Sequence, residues 1–340
     1  MGINKSKTNA TNNIKDKKSD HTEDIKIPND FILTKVVTIN LNLQNSINLK
    51  RNITKLVNYY FDNNLDIAVL QNFNDKISLF NFIKHLKTEA KIRKKNIFIS
   101  PEFEDIDSYD TTKITIPINN TAKSDNEQFV PHLLISKYEI ENYTQLFLNK
   151  NKSAFLLSSN IIIEGKIISI FIGSLSQDLK SLGVVNSEKR TIELMKIKRR
   201  VDKNLEIIEE EYGNNVSGIN ILFGHLPIDE TYQNKKSSEY LKAIEICKVI
   251  DLHRYYDNSN SIITSKNNKR NDYIFLFLDD EFFEENTKLN DELQNVKTPK
   301  DMFNLLFKKY TFHLFEIDVE KEISIFDSYP ITISFMFKYS

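Results

Sequence analysis

Short apolar runs of strand length alternate along this chain with stretches whose apolar residues return every three or four positions, the mark of a helix with one buried face. The pattern opens at Phe31 with a run ending at Asn40, after which Asn45 or Ser46 can cap a helix that carries Ile53, Leu56, Val57 and Tyr60 on one side. A second helix gathers Leu79, Phe82, Ile83 and Leu86, and residues 104–128 are polar and loop-like. Strands are expected near 130–136, 143–149, 154–163 and 166–173, with Glu164-Gly165 as a hairpin turn. The longest helix begins near Asn186 and buries Leu194, Ile197, Val201, Leu205 and Ile208. A helix over about 237–250 precedes a strand at 272–278. Thr298-Pro299 has the form of a cap and first helical residue, with Leu305 and Leu306 inward. Strands near 311–318, 322–326 and 331–338 are expected to finish the second of two sheets.

This alternation predicts one α/β (α+β) domain over residues 31–340. Residues 1–30 are too polar to bury a core and are expected to be a disordered leader. The net charge of −1 supplies no global basic field, so nucleic acid is an unlikely partner. The single cysteine, Cys247, excludes an internal disulfide framework and a cysteine-rich zinc site. Only 7 glycines are present, and no Walker or dinucleotide fingerprint occurs. Lys189, Arg190, Lys196, Lys198, Arg199, Arg200 and Lys203 decorate the long helix, where a run of cations is most often a solvated face.

Candidate chemistry sits at strand ends, where a rigid strand positions a group and a loop leaves it open. The strings are Thr38-Ile39-Asn40, Asp66-Ile67-Ala68-Val69-Leu70-Gln71-Asn72, Ile221-Leu222-Phe223-Gly224-His225-Leu226-Pro227, Asn271-Asp272-Tyr273-Ile274-Phe275 and Asp327-Ser328-Tyr329-Pro330-Ile331. Their order and spacing resemble the endonuclease/exonuclease/phosphatase family, which includes pancreatic deoxyribonuclease, neutral sphingomyelinases and inositol polyphosphate phosphatases. That family reads T-x-N, D-I-x-x-L-Q-E, G-D-F-N, R-I-D-Y-I and S-D-H-Y-P-I at these places. Leu133-Leu134-Ile135-Ser136-Lys137-Tyr138-Glu139-Ile140 likewise resembles its I-L-S-K-Y-P-I segment. The resemblance implies a DNase-I-like four-layer sandwich: two packed, mostly antiparallel mixed sheets flanked by helices.

It also implies that the chemistry has been removed. Active members use a glutamate to hold a divalent metal, an aspartate–histidine pair for the proton of the attacking water, and amides with a second histidine for the phosphate. Asn40, Asp272 and Asp327 match the family. Asn72 stands at the place of the metal-binding glutamate, and a neutral amide does not supply that charge. Ser174 replaces a phosphate-facing histidine, His225 and Pro227 replace the aspartate and asparagine of G-D-F-N, and Ser328 replaces the histidine base. No catalytic set is intact, and no metal or other cofactor is expected.

The first residues carry a separate signal. Gly2 followed by Ser6 in Met1-Gly2-Ile3-Asn4-Lys5-Ser6-Lys7 fits the N-myristoylation pattern and resembles the start of Src-family kinases. Lys5, Lys7, Lys15, Lys17 and Lys18 against Asp16 make the start of the leader basic, the partner a single acyl chain needs on an anionic leaflet. The sequence therefore points to an inactive member of this fold, lipid-anchored at the cytoplasmic face of a membrane, that binds or scaffolds an unidentified protein. The alternatives are a divergent Mg-dependent phosphodiesterase or phosphatase, and a phosphoinositide-headgroup binder that does not cleave.

Overall fold

The computed structural model describes residues 31–41, 49–73, 75–101, 131–177, 187–213, 218–228, 239–256, 263–264, 270–279, 312–321 and 328–338. The leader, the Asn45/Ser46 cap, the 104–128 loop, the start of the long helix at Asn186, the Thr298-Pro299 helix, the 322–326 strand and Asp327 fall outside them.

In the first half of the chain, strands β1 (Phe31–Asn40), β2 (Ile67–Gln71), β3 (Phe98–Ser100), β4 (Leu133–Ser136), β5 (Ile140–Phe147), β6 (Phe155–Ile163) and β7 (Lys166–Ser174) are joined by helices α1 (Leu49–Asp62) and α2 (Lys76–Ile92). The rest adds α3 (Ser187–Tyr212), β8 (Ile219–His225), α4 (Glu239–Cys247), β9 (Val249–Asp251), α5 (Leu252–Tyr256), β10 (Asp272–Phe277), β11 (Phe312–Val319) and β12 (Ile331–Lys338). They form two six-stranded sheets, ordered β11-β12-β1-β2-β4-β3 and β5-β6-β7-β8-β10-β9. Among the described strands, only β1–β2 and β7–β8 pair in parallel, and each of these steps crosses over through a helix, α1 or α3.

Burial explains the layering. β2 and β8 are buried at every residue, as interior strands covered on both faces must be. Between the sheets lies an apolar core that includes Val36, Val69, Ile170, Ile221, Ile274, Ile333 and Phe335. Leu56, Val57, Leu79 and Ile83 of α1 and α2 cover the outside of the first sheet, and Leu194, Ile197 and Ala243 of α3 and α4 cover the second. Asn204 of α3 is seated by its amide on Asn160 Oδ1 (3.2 Å) and Ser169 Oγ (2.9 Å) of β6 and β7. The DNase-I-like four-layer sandwich expected from the sequence is the fold observed.

Four details differ from the sequence reading. The closing strands β11 and β12 complete the first sheet, because β12 runs antiparallel to β1 from Phe31↔Lys338 to Thr38↔Ile331. The helix expected to reach 250 stops at Cys247; Lys248 turns left-handed (φ 52°), and 249–251 pairs at the sheet edge with β10. β5 lies at 140–147 rather than 143–149, and the three-residue β3 was too short to show a period. The hairpin turn is where it was expected: Glu164 (φ 48°) and Gly165 (φ 78°) are both left-handed, as the tightest hairpins require. Among the described residues, no helix is long and apolar enough to cross a membrane.

Candidate functional site

Topology alone brings the strand-end residues together. The parallel pairs β1–β2 and β7–β8 end at the same edge of the sandwich, and antiparallel β10 begins there. Ser174, His225 and Asp272 are consecutive in register across the second sheet, as Ser174↔His225 and Asp272↔His225. Gly224 fits the crowded approach, since a Cβ there would stand 2.7 Å from Leu226 Cδ2.

Asn40 bridges the two sheets. Its amide nitrogen donates to Asp272 Oδ1 at 3.3 Å and lies 2.5 Å from His225 Nδ1, while its Oδ1 accepts from Asn72 Nδ2 at 2.9 Å. His225 Nδ1 is also 3.0 Å from Asp272 Oδ1, so one carboxyl oxygen serves both an amide and an imidazole. Asn40, His225 and Asp272 are all buried. Asp272 Oδ2 is enclosed without a hydrogen-bond partner. Thr264 closes the near side: its Oγ1 accepts from the Asp272 backbone N–H and its carbonyl from Tyr329 N–H, which holds the neighbouring, buried Ser328 at this end. Pro227 is half-buried just beyond β8, and Asp327 lies outside the described residues.

A histidine that no motif marked completes the cluster. His132 begins the segment leading into β4, is fully buried, and its Nδ1 accepts from the backbone N–H of Asn72 at 3.4 Å. Its ring meets Phe155 edge-on, with centroids 6.2 Å apart. Burial pushes its pKa down to about 3, so the ring is neutral. Asn72 itself is left-handed (φ 60°), a conformation asparagine tolerates better than most side chains. The only hint of His132 in the sequence was a Pro131-His132 pair ahead of an apolar strand.

Two further buried networks brace this end. Arg270, two residues before Asp272, donates to Asp251 Oδ1 at 2.7 Å, and Tyr240 donates to Asp251 Oδ2 at 2.9 Å. Behind β7, Glu193 of α3 accepts from the backbone N–H of Ser176 (2.8 Å), from its hydroxyl and from Asn149 Nδ2 (2.7 Å). Arg190 donates to Ser176 O and pairs with Glu239 at 2.7 Å. The cations Arg190 and Arg270 therefore serve the interior.

No protein-family model matches the chain, and no curated protein does. Solved structures do. A humanized TDP2 of D. rerio carrying 14 mutations superposes with a TM-score of 0.54 at 12% identity, covering 89% of this chain and 98% of that one. An endonuclease/exonuclease/phosphatase family protein from Leptotrichia buccalis gives 0.52 at 15% identity, covering 88% and 98%. One from Bacteroides thetaiotaomicron gives 0.52 at 11% identity, covering 91% and 99%. The fold is that of the endonuclease/exonuclease/phosphatase proteins.

The divalent metal associated with that fold does not suit this donor set. A hard cation needs several charged or carbonyl oxygens aimed at one point. Here Asn40 Oδ1 is taken by Asn72, Asp272 Oδ1 by Asn40 and His225, and Asn72 offers only a neutral amide, so among the described residues Asp272 Oδ2 is the one carboxyl oxygen of the cluster left without a partner. Among the described residues, no group of three or more His, Cys, Asp or Glu side chains could hold a metal ion. The arrangement is a closed circuit of amides around one carboxyl group, suited to holding two sheets together.

Proposed function

We propose that this chain is a catalytically inactive protein of the endonuclease/exonuclease/phosphatase fold, anchored through myristoylated Gly2 and its basic leader to the cytoplasmic face of a membrane. There it serves as a binding or scaffolding module for a protein partner. The supporting observation is the Asn72–Asn40–Asp272–His225 network, in which the side chains at the expected reaction centre hydrogen-bond to one another and leave, among the described residues, one buried carboxyl oxygen, Asp272 Oδ2, without a partner. Loss of a histidine base alone costs ~10²–10⁴ in rate, and loss of the metal's charge compounds it. The test is hydrolysis of plasmid DNA, RNA, sphingomyelin and phosphoinositides with Mg²⁺ or Mn²⁺, where no turnover above a buffer control is expected. Metal-dependent turnover abolished by Asp272→Ala would overturn the reading.

One observation favours the alternative of a divergent phosphohydrolase. His225 stands 3.0 Å from Asp272 and so restores a carboxyl–imidazole pair from a different strand. That reading requires turnover that His225→Gln abolishes. The phosphoinositide-binding alternative requires headgroup binding by protein lacking residues 1–30. For the anchor, intact mass from a eukaryotic host should show loss of Met1 and gain of one myristoyl group, and Gly2→Ala should release the protein from membranes.

A further inference from the structure

The basic run on α3 resolves into two populations. Arg190 is buried against Glu239, and Lys198 pairs with Asp202 on the flank that faces α4. The flank toward edge strand β5 is fixed by Lys196 Nζ on Leu148 O (2.5 Å) and by Arg200 on Thr144 Oγ1 (2.7 Å). At 100° per residue, Lys189, Ile192, Lys196, Arg199 and Lys203 fall along that flank and its outer margin. Among the described residues, no carboxylate falls on that flank between 189 and 203, since Glu193 is turned inward and Asp202, paired with Lys198, lies beyond Met195 on the far margin of the outer face.

Exposed apolar side chains concentrate on the same surface. Of the eight large hydrophobic residues exposed among those described, Tyr143, Leu146, Ile192, Met195 and Tyr212 lie on β5 and α3. Ile192 and Met195 are 56% and 48% exposed, in the half of α3 nearest the cleft. Lys150 and Lys152 project from the β5–β6 turn at that end.

Helix stability does not account for the charge order. A helix favours acids at its N-terminus and cations at its C-terminus. α3 has Lys189 and Arg190 beside Glu188 at its start and Glu209, Glu210 and Glu211 in its last turn, with no base there. A helix that departs from its own electrostatic preference points to another use for the charges.

We propose that the cleft-proximal half of α3, with the β5–β6 turn, is a second membrane contact that docks the folded domain on an anionic bilayer. Cations complement the headgroups, while Ile192 and Met195 enter the interface between them; nucleic acid would gain little from those two side chains. The acidic last turn keeps the far end of the helix off the surface, which fixes an orientation. A single acyl chain binds only marginally, so an additional contact of this kind would convert a transient anchor into a stable one. The thirty residues before Phe31 can span up to ~100 Å, so both contacts can reach one membrane.

The surface is distinct from the anchor, and the test uses full-length protein made in bacteria, which carries no acyl group. It is sedimented with vesicles of phosphatidylcholine alone or with 30% phosphatidylserine (about that fraction gives a strongly negative surface), in low and in high salt. Salt-sensitive binding to the anionic vesicles only is expected. Lys189→Glu/Arg199→Glu/Lys203→Glu should weaken it roughly tenfold or more, and Ile192→Ser/Met195→Ser by roughly several-fold. Circular dichroism would establish that both variants are folded, as expected for changes at surface positions. Binding unchanged in both variants would overturn the proposal. So would absence of binding, or equal loss in the triple variant of single-stranded RNA binding that ignores Ile192 and Met195. None of these outcomes bears on acylation of Gly2.

Discussion

Two buried polar clusters begin two residues apart in the chain, at Arg270 just before β10 and at Asp272, its first residue, and they are built on opposite principles. At Arg270, a guanidinium meets the carboxylate of Asp251 at 2.7 Å; Tyr240 takes the second oxygen, and the ring of Tyr273 lies 4.4 Å from the guanidinium carbon. At Asp272, a carboxyl group meets one neutral amide side chain and an imidazole, and among the described residues one of its oxygens has no partner. The first cluster compensates charge with charge. The second has, among the described residues, no lysine or arginine as a hydrogen-bonding partner. Asp251–Arg270 thus has the form of a structural node, whereas Asp272 is a buried carboxyl group held by neutral side chains at the edge where the two sheets meet.

The largest effect separating the two belongs to Arg270→Met. Removing one member of a buried pair leaves the other uncompensated, which costs about 3–5 kcal/mol. Asp251 would retain Tyr240, the backbone N–H groups of His253 and Arg254, and the Arg254 guanidinium at 3.9 Å, beyond hydrogen-bond reach, so the loss should fall at the lower end of that range. Urea unfolding should show a midpoint far below wild type, or protein that fails to accumulate folded. A loss under about 1 kcal/mol would show that the pair is not the node described.

A smaller and pH-dependent effect belongs to His132, on the cleft side of the comparison. Its ring is neutral in the fold, with a pKa pushed down to about 3 by burial, whereas in the unfolded chain it takes up a proton near its ordinary 6.5. Its contribution is therefore intact above pH 6.5 and is lost as pH falls from 6.5 toward 3, at up to roughly 1.4 kcal/mol per pH unit. His132→Gln keeps an acceptor for Asn72 N–H and removes the titration. Its stability should fall less steeply than wild type between pH 6.5 and 4.5, so the two curves converge or cross on acidification. Parallel curves would mean the ring is protonated or solvated in the fold.

What the sequence disclosed follows the same division. Asn40, Asn72, Ser174, His225 and Asp272 were legible because each ends or begins an apolar strand, and strand order carries them to one edge. His132 was not, because it belongs to none of the strand-end strings that carry the family resemblance. The Asp251–Arg270 pair was hidden by a helical periodicity that ran to residue 250, where a left-handed Lys248 in fact turns the chain into β9. Sheet membership of β11 and β12 was equally hidden: an apolar strand pattern states which face is buried, not which neighbour it joins. The cations of α3 looked alike in the sequence, and only packing separated the interior Arg190 from the exposed Arg199 and Lys203.

The smallest expected effect is the most discriminating. Asp272→Asn changes one atom of the cleft cluster, at the position corresponding in kind to the carboxylate of Asp251. If Asp272 were a compensated charge like Asp251, neutralising it would cost several kcal/mol. Its neighbours predict otherwise. Asn40 Nδ2 donates to Oδ1 at 3.3 Å, a long and weak bond that an asparagine carbonyl accepts equally well. The unpartnered Oδ2 would become an amide nitrogen, exchanging one enclosed polar atom for another. Against the lost interaction with His225 stands relief from burying a carboxyl group with no cationic side chain bonded to it. These contributions nearly cancel, so the variant should unfold within about 1 kcal/mol of wild type, on either side. A loss above about 2 kcal/mol would mean that the His225–Asp272 pair is held as an ion pair in the fold. That result would erase the contrast between the two clusters and raise the standing of a working acid–base pair at this edge.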